Sequence, residues 1–250
     1  AFICTQDLKD EEYINSHYVI MATKKGQVKK TSLEQYSRPR VNGINAITIR
    51  EGDELIEAKL TNGESQVMLA LRSGKAIRFE EGKTRPMGRN ASGVRGITLA
   101  DDKDEVVGMI AVNDMDANVL VVSENGYGKR SKLEDYRITN RGGKGVKTIS
   151  VTEKTGELVT IKNVTDKDDL MIINKSGLAI RMSIENLRVM GRATQGVKLI
   201  NLKGNDAIAA VAKVMKDEDE VEEELLDDAT SGDISGEISD GTTIADDTEE

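Results

Sequence analysis

Apolar positions in this chain gather into short aliphatic runs that return about every fifty residues, with polar stretches and glycines between them. YVIMAT (18–23), VMLAL (67–71), VLVVS (119–123) and LMIIN (170–174) each lead to a glycine: Gly26, Gly74, Gly126 or Gly177. A cation follows four positions later, at Lys30, Arg78, Arg130 or Arg181. A second glycine stands at Gly43, Gly93, Gly145 and Gly196, ahead of the alternating segments INAITI, VRGITL, VKTISV and VKLINL. A third run closes each copy: ELIEAKL (54–60), EVVGMIAV (105–112), ELVTIKNV (157–164) and AIAAVAKV (207–214).

Aliphatic runs of this length bounded by glycine and polar turns predict strands. SLEQY (32–36), KLEDY (132–136) and SIENL (183–187) are too short for independent helices and read as single helical or bent turns. Three or four strands per repeat predict an all-β, propeller-like fold. Complete blades are expected at 17–65, 66–117, 118–169 and 170–216, with the end of a preceding blade at 1–16. A stack of separate small barrels is the alternative, and a single period without linkers argues against it.

Composition sharpens the picture. With 2 Phe, 5 Tyr and no Trp, the core must be aliphatic. The single Cys4 and single His17 supply no disulfide framework, zinc site or histidine triad, so a buried thiol and an ordinary surface imidazole are expected. No apolar run approaches the length of a membrane span, and no leader pattern opens the chain, so a cytoplasmic piece of a longer protein is expected. The net charge of -9 hides a division: residues 217–250 hold 16 of the 44 acidic residues and no Lys or Arg, whereas 1–216 carry 28 acidic against all 35 basic residues. The tail cannot offset its ordering entropy and is expected to be disordered, and the basic body suggests a polyanionic partner.

The segment TNRGGKGVKT (139–148) has the look of a phosphate loop. It fails the Walker pattern, because Val146 follows Gly145 and a strand-like segment follows in place of a helix; GYGKRS (126–131) fails at Arg130. Compared across repeats, it is one of four equivalent turns. Counted from the second glycine, position -4 holds Arg89, Arg141 and Arg192, with Arg40 one residue nearer in the first copy. Position +2 holds Arg95, Lys147 and Lys198, with Asn45 in the first copy, and position -8 holds Arg85, Arg137 and Arg188, with Arg38 close by. Lys30, Arg78, Lys129, Arg130, Arg181 and Lys144 join these as candidate phosphate contacts, and Gly43, Gly93, Gly142, Gly143, Gly145 and Gly196 as turn glycines that let the main chain approach a nucleic-acid backbone. Identical stations suit backbone contact and bending better than base reading.

The runs KKTSLEQYSRPRVNGINAITIREGDELI (29–56), RPMGRNASGVRGITL (85–99), VVSENGYGKRSKLEDYRITNRGGKGVKT (121–148) and DLMIINKSGLAIRMSIENLRVMGRATQGVKLI (169–200) closely resemble the C-terminal domain of bacterial DNA gyrase A. The resemblance covers nearly all of residues 1–215. It implies a six-bladed β-pinwheel that wraps double-stranded DNA around a basic rim, with this chain entering in the last strand of blade two and containing blades three to six. It further implies association with the rest of gyrase A and with gyrase B in an A2B2 complex, which uses ATP and Mg to introduce negative supercoils; no cofactor is expected in this chain. The acidic tail is similar to tails that modulate wrapping. Asn140 to Gly145 lacks the leading Gln of the family's Gln-Arg-Arg-Gly-Gly-Lys-Gly box and falls in the fifth blade, so it is a cousin of that box. The family's cleavage tyrosine lies in another domain, and Tyr13, Tyr18, Tyr36, Tyr127 and Tyr136 are expected to pack or to line the rim. The equivalent domain of topoisomerase IV, a protein-binding propeller scaffold and an enzyme are the competing readings; lack of a convergent acid, base or metal cluster weighs against the last.

Overall fold

A computed structural model describes residues 3–215 of the chain. The expected acidic tail, 217–250, lies outside the described residues. The chain runs through helix α1 (Glu11–Ser16), then β1 (Tyr18–Thr23), β2 (Gln27–Ser32), β3 (Leu55–Thr61), β4 (Gln66–Leu71) and β5 (Lys75–Glu80). It continues through β6 (Val94–Arg95), β7 (Val106–Val112), β8 (Asn118–Ser123), β9 (Tyr127–Lys132), β10 (Val146–Lys147) and β11 (Leu158–Val164). It ends with β12 (Asp168–Asn174), β13 (Ala179–Ser183), β14 (Val197–Lys198) and β15 (Ile208–Met215). One-turn 3-10 helices at Leu33–Tyr36 and Leu133–Asp135 stand where short helical turns are expected, and a third, at Glu81–Lys83, follows the second hairpin without a matching sequence signal.

Among the described residues the strands form four sheets, ordered β3-β1-β2-β6, β10-β5-β4-β7, β11-β8-β9-β14 and β13-β12-β15. The architecture is the expected all-β propeller-like one. Its sheets, however, are not built from single repeats. Each repeat hands a two-residue strand back to the hairpin of the repeat before it: Val94 pairs with Val28, Val146 with Ala76 and Val197 with Gly128. The segments INAITI, VRGITL, VKTISV and VKLINL therefore differ from the full strands expected. Three contribute two strand residues each, and INAITI none, because after two pairs the chain must leave one sheet to reach the next turn.

The apolar runs are continuous because the sheets stack and the central strands β1, β4 and β8 are buried on both faces, with Met171 and Ile173 of β12 half-buried. Along β4, Val67, Leu69 and Leu71 pack with Ile20, Ala22 and Val28 of the first sheet. The alternate residues, Met68 and Ala70, pack with Val119 and Val121 of the third and with Tyr136, which follows its one-turn helix. The same alternation turns Leu120 and Val122 of β8 toward Leu170 and Ile172 of β12.

Where the end of a preceding blade is expected, the chain instead forms α1, capped by the Asp10 carboxylate accepting from the Glu12 and Tyr13 amides at 3.0 and 3.2 Å. Ile14 of this helix, with Leu8 and Tyr13, covers Val19 and Met21 on the outer face of the first sheet. His17 closes the helix: its Nδ1 donates to the Tyr13 carbonyl at 2.9 Å, and the ring is half-buried. Cys4 is exposed, which corrects the buried thiol; in its stretch it is Ile3 and Leu8 that pack against the first sheet's core. Among the described residues no helix is long and apolar enough to cross a membrane.

The second glycines are required by close approach. Gly93, Gly145 and Gly196 have φ of +88°, +72° and +81°, and a Cβ on each would stand 2.5, 2.7 and 2.5 Å from the carbonyl oxygen of Val28, Ala76 and Gly128. Gly43 has φ of +74° but open space around it. Gly145→Ala is thus expected to cost about 2–4 kcal/mol, from a left-handed backbone plus a steric clash, against about 1–2 kcal/mol for Gly43→Ala. Urea unfolding of the two variants checks the difference, and equal losses would remove the close approach as its cause.

Candidate nucleic-acid interface

Each rim turn runs from the short helical turn to the two-residue strand, and neighbouring turns are tied together by two recurring bonds. First, a backbone amide five residues after the second glycine donates to the next turn. Thr48 reaches the Ala91 carbonyl at 3.4 Å, Thr98 the Gly143 carbonyl at 2.9 Å and Ser150 the Thr194 carbonyl at 3.1 Å. Second, the -4 arginine reaches back to the carbonyl at +2 of the previous turn. Arg89 donates to Asn45 at 3.4 Å, Arg141 to Arg95 at 3.0 Å and Arg192 to Lys147 at 2.8 Å. The four turns form one continuous hydrogen-bonded edge.

Along this edge the structure exposes Arg38, Arg40, Arg85, Arg95, Arg137, Lys144, Lys147, Arg188 and Lys198. Arg89, Arg141 and Arg192 are half-buried; Arg89 and Arg192 are each held by one carbonyl and Arg141 by two, its Nε donating also to the Lys83 carbonyl at 3.0 Å, with further N–H groups to offer. Among the described residues, none of these twelve cations is in an ion pair. The opposite pattern holds at the hairpin glycine end of the sheets. There Lys24 pairs with Glu54 and Glu105 at 3.7 and 3.2 Å, Arg72 with Glu105 at 3.0 Å and with Glu157, and Lys175 with Glu124 at 3.9 Å. A cavity of about 280 Å³ opens beside the third turn, lined by Arg137, Asn140, Lys144 and the backbone of Gly143 and Gly145.

Four candidate contacts are corrected by burial. Lys30, Arg78, Lys129 and Arg130 lie inside, and each is used to join one blade to the next. Lys30 pairs with Glu81 at 2.8 Å and lies over the Tyr18 ring; Glu81 also accepts from the Thr61 hydroxyl and the Ser65 amide at 2.8 and 3.2 Å. Arg78 donates to the Leu133 and Tyr136 carbonyls at 2.6 and 3.0 Å and to Gln66 at 2.6 Å. Arg130 donates to the Leu187 carbonyl and to Asp166. Burial holds the Arg78 guanidinium below its ordinary range. Arg181, at the same station in the last repeat, is exposed and pairs with Asp169 at 2.6 Å.

For three of the six glycines the close approach is to protein: Gly93, Gly145 and Gly196 stand against the main chain of the neighbouring blade. Gly142, with φ of +84°, forms part of the same edge, its amide donating to Gly96 at 2.6 Å; Gly143 is exposed. Among the tyrosines, Tyr136 is fully buried with its hydroxyl 2.5 Å from Thr148 Oγ1, and burial pushes its pKa up.

Sequence reasoning missed Lys29. Its Nζ donates to the Ala46 carbonyl at 2.5 Å and to that of Arg89, and burial, followed by the nearby Arg89 charge, lowers its pKa to about 8. Lys129, at the same station, bonds only the turn of the following repeat, at the Gly191 carbonyl (2.6 Å) and Thr194 Oγ1 (3.2 Å). Burial is again the main cause of its pKa of about 8. The signal was available in part: Lys29 and Lys129 share the third position after a hairpin glycine, on a strand otherwise packed on both faces.

A family model described as DNA gyrase C-terminal domain, beta-propeller, matches residues 17–62, 67–113, 117–165 and 168–215. The DNA gyrase A protein of Staphylococcus aureus strain MRSA252 is 45% identical over 226 residues, which is 90% of this chain and 25% of that relative. Its counterpart from strain NCTC 8325 / PS 47 is 45% identical over 227 residues, again 90% and 25%. The chain thus spans about a quarter of the length of these relatives. Among solved structures, the C-terminal domain of DNA topoisomerase IV superposes with a TM-score of 0.76 at 22% identity, covering 86% of this chain and 67% of that one. The DNA gyrase A C-terminal domain superposes with a TM-score of 0.72 at 24% identity, covering 80% and 67%. At these identities the two structures speak to fold alone.

The buried Lys30–Glu81 pair generates a stability test. Lys30→Met leaves the Glu81 carboxylate without its counter-charge and is expected to cost about 3–5 kcal/mol. Adding Glu81→Leu, the residue found at the same station as Leu33 and Leu133, should recover most of that loss. Urea denaturation of the single and double variants measures both, and a single variant as stable as the parent would show that the pair does not join the blades.

Proposed function

Since this chain belongs to the DNA gyrase C-terminal domain, beta-propeller, family, we propose that it binds double-stranded DNA along the tied rim turns and bends it from blade to blade. The observation that carries this reading is the edge of twelve cations without carboxylate partners among the described residues, set on turns whose spacing is held by backbone bonds. Exposed Arg85, Arg137 and Arg188, and Arg95, Lys147 and Lys198, recur at two stations and give a duplex backbone repeated charge with no variety from which to read bases. The half-buried Arg89, Arg141 and Arg192 hold adjacent turns at one spacing and keep guanidinium N–H groups beyond those bonds. Lys144 and the cavity beside Gly143 offer a further phosphate position in the third turn.

In the whole protein, bending of this kind would present a DNA segment for strand passage, with gyrase B in an A2B2 assembly and with ATP and Mg used elsewhere in the complex. The reading places the protein in the bacterial cytoplasm, on the nucleoid. The topoisomerase IV alternative is less favoured, because 45% identity is to gyrase A proteins while the likeness to topoisomerase IV is one of fold. The 16 acidic residues of 217–250 supply a polyanion in the same chain, able to compete with DNA for the rim.

Duplex affinity measured against salt tests the proposal. The log-log slope should be about -0.9 for each phosphate neutralised. Replacing Arg85, Arg137 and Arg188 together by Glu should reduce its magnitude by about 2.7 while leaving the melting temperature within a few degrees, as all three are exposed. Removal of 217–250 should strengthen binding at low salt. A protein scaffold would show no salt-dependent DNA affinity, and that result would overturn the reading.

A further inference from the structure

Two buried lysines stand directly beneath the rim and are not explained by blade joining alone. Lys29 and Lys129 occupy the station that holds Ile77 in the second repeat and Ile180 in the fourth, so an apolar residue suffices there for folding. Both lysines are fully buried and both reach the rim turn of the following repeat: Lys129 makes its two bonds there, while Lys29 bridges that turn to the Ala46 carbonyl of its own. Lys29 holds the Arg89 carbonyl, and Lys129 holds Gly191, next to Arg192. No carboxylate pairs with either among the described residues. The charged group facing Lys29 is Arg89, with the Tyr36 hydroxyl donating to the same Ala46 carbonyl at 3.3 Å. Those facing Lys129 are Arg192 and Lys147, opposed by Asp135.

We propose that Lys29 and Lys129 are positioning residues for duplex DNA, fixing the turns that carry Arg89 and Arg192 and coupling DNA binding to proton uptake. The inference rests on the DNA-binding reading above. A phosphate backbone laid on Arg89 and Arg192 brings the negative charge that the two ammonium groups lack, so the bound state favours their protonated form. With both pKa values lowered to about 8 in the free protein, protons are lost as pH rises through 8, and DNA restores them. The same lowering has the opposite effect on folding. Between about pH 8 and the ordinary lysine range the unfolded chain binds more protons than the folded one, so stability rises with pH where DNA affinity falls. Loss of a solvent-exposed phosphate contact would produce neither trend.

The test uses the full chain 1–250 with a fluorescent duplex at constant ionic strength from pH 7 to 9.5, and calorimetry near pH 8.5 in buffers of different ionisation enthalpy. Affinity is expected to fall by about three- to tenfold per lysine across this range, with net proton uptake on binding. Lys29→Ile with Lys129→Ile should bind about tenfold more weakly at pH 7 and show a flat profile. Lys129→Arg should keep its affinity at pH 7 and lose part of the fall above pH 8, because a guanidinium stays charged. The proposal is overturned if the double isoleucine variant retains the parental pH dependence, or if the parent binds DNA without taking up protons. The second measurement decides the matter by itself should the variant not fold. Absence of salt-sensitive binding by the parent at pH 7 would instead sink the DNA reading.

Discussion

The pairing of each two-residue strand with the hairpin of the repeat before it brings a glycine against a neighbouring carbonyl, and the rest of the molecule is arranged around that contact. At Gly145 the main chain comes so near Ala76 that a single added carbon would collide with its oxygen. This approach lets Val146 complete the neighbouring sheet, puts Thr148 and Ile149 in reach of the Gly74 carbonyl, and sets the following residues where Ser150 finds Thr194. A repeat separated from its neighbours would lose a strand and one wall of its core, as expected for an architecture in which stability resides between units.

Charge is divided between joining blades and facing outward. Inside, the fourth residue after a hairpin glycine reaches into the next repeat. Arg78 and Arg130 use the guanidinium fork on carbonyl oxygens, Arg130 also reaching the exposed Asp166, whereas Lys30, with a single ammonium, meets the buried Glu81 carboxylate. Glu81 stands where other repeats carry Leu33, Leu133 and Ile184, so the exceptional carboxylate and the exceptional lysine are adjacent in space though 51 positions apart in number. Outside, the rim cations lack such partners among the described residues, and this leaves their field available to a polyanion.

The periodic glycines, the aliphatic runs and the recurring cations made the repeat, the strand hairpins and the short helical turns legible, since each depends on local chemistry. The cations at -8 and +2 were legible as rim residues for the same reason. Lys30, Arg78, Lys129 and Arg130 were not distinguishable from them, because a basic residue in a strand reads alike whether its far end meets solvent or a carbonyl in another repeat. Helix α1 was missed because six residues carry too little periodicity, and its face is defined by the sheet it covers.

The order of residues by itself determined that this chain would be a repeat of all-β units with basic turns, because spacing of glycine and apolar positions is a property of the chain. Which cations face outward was decided only by the tertiary structure. Solvent exposure depends on what the next repeat places over each side chain, and strand exchange between repeats brings a carbonyl or a carboxylate over some lysines and arginines while leaving others, a few residues away, uncovered.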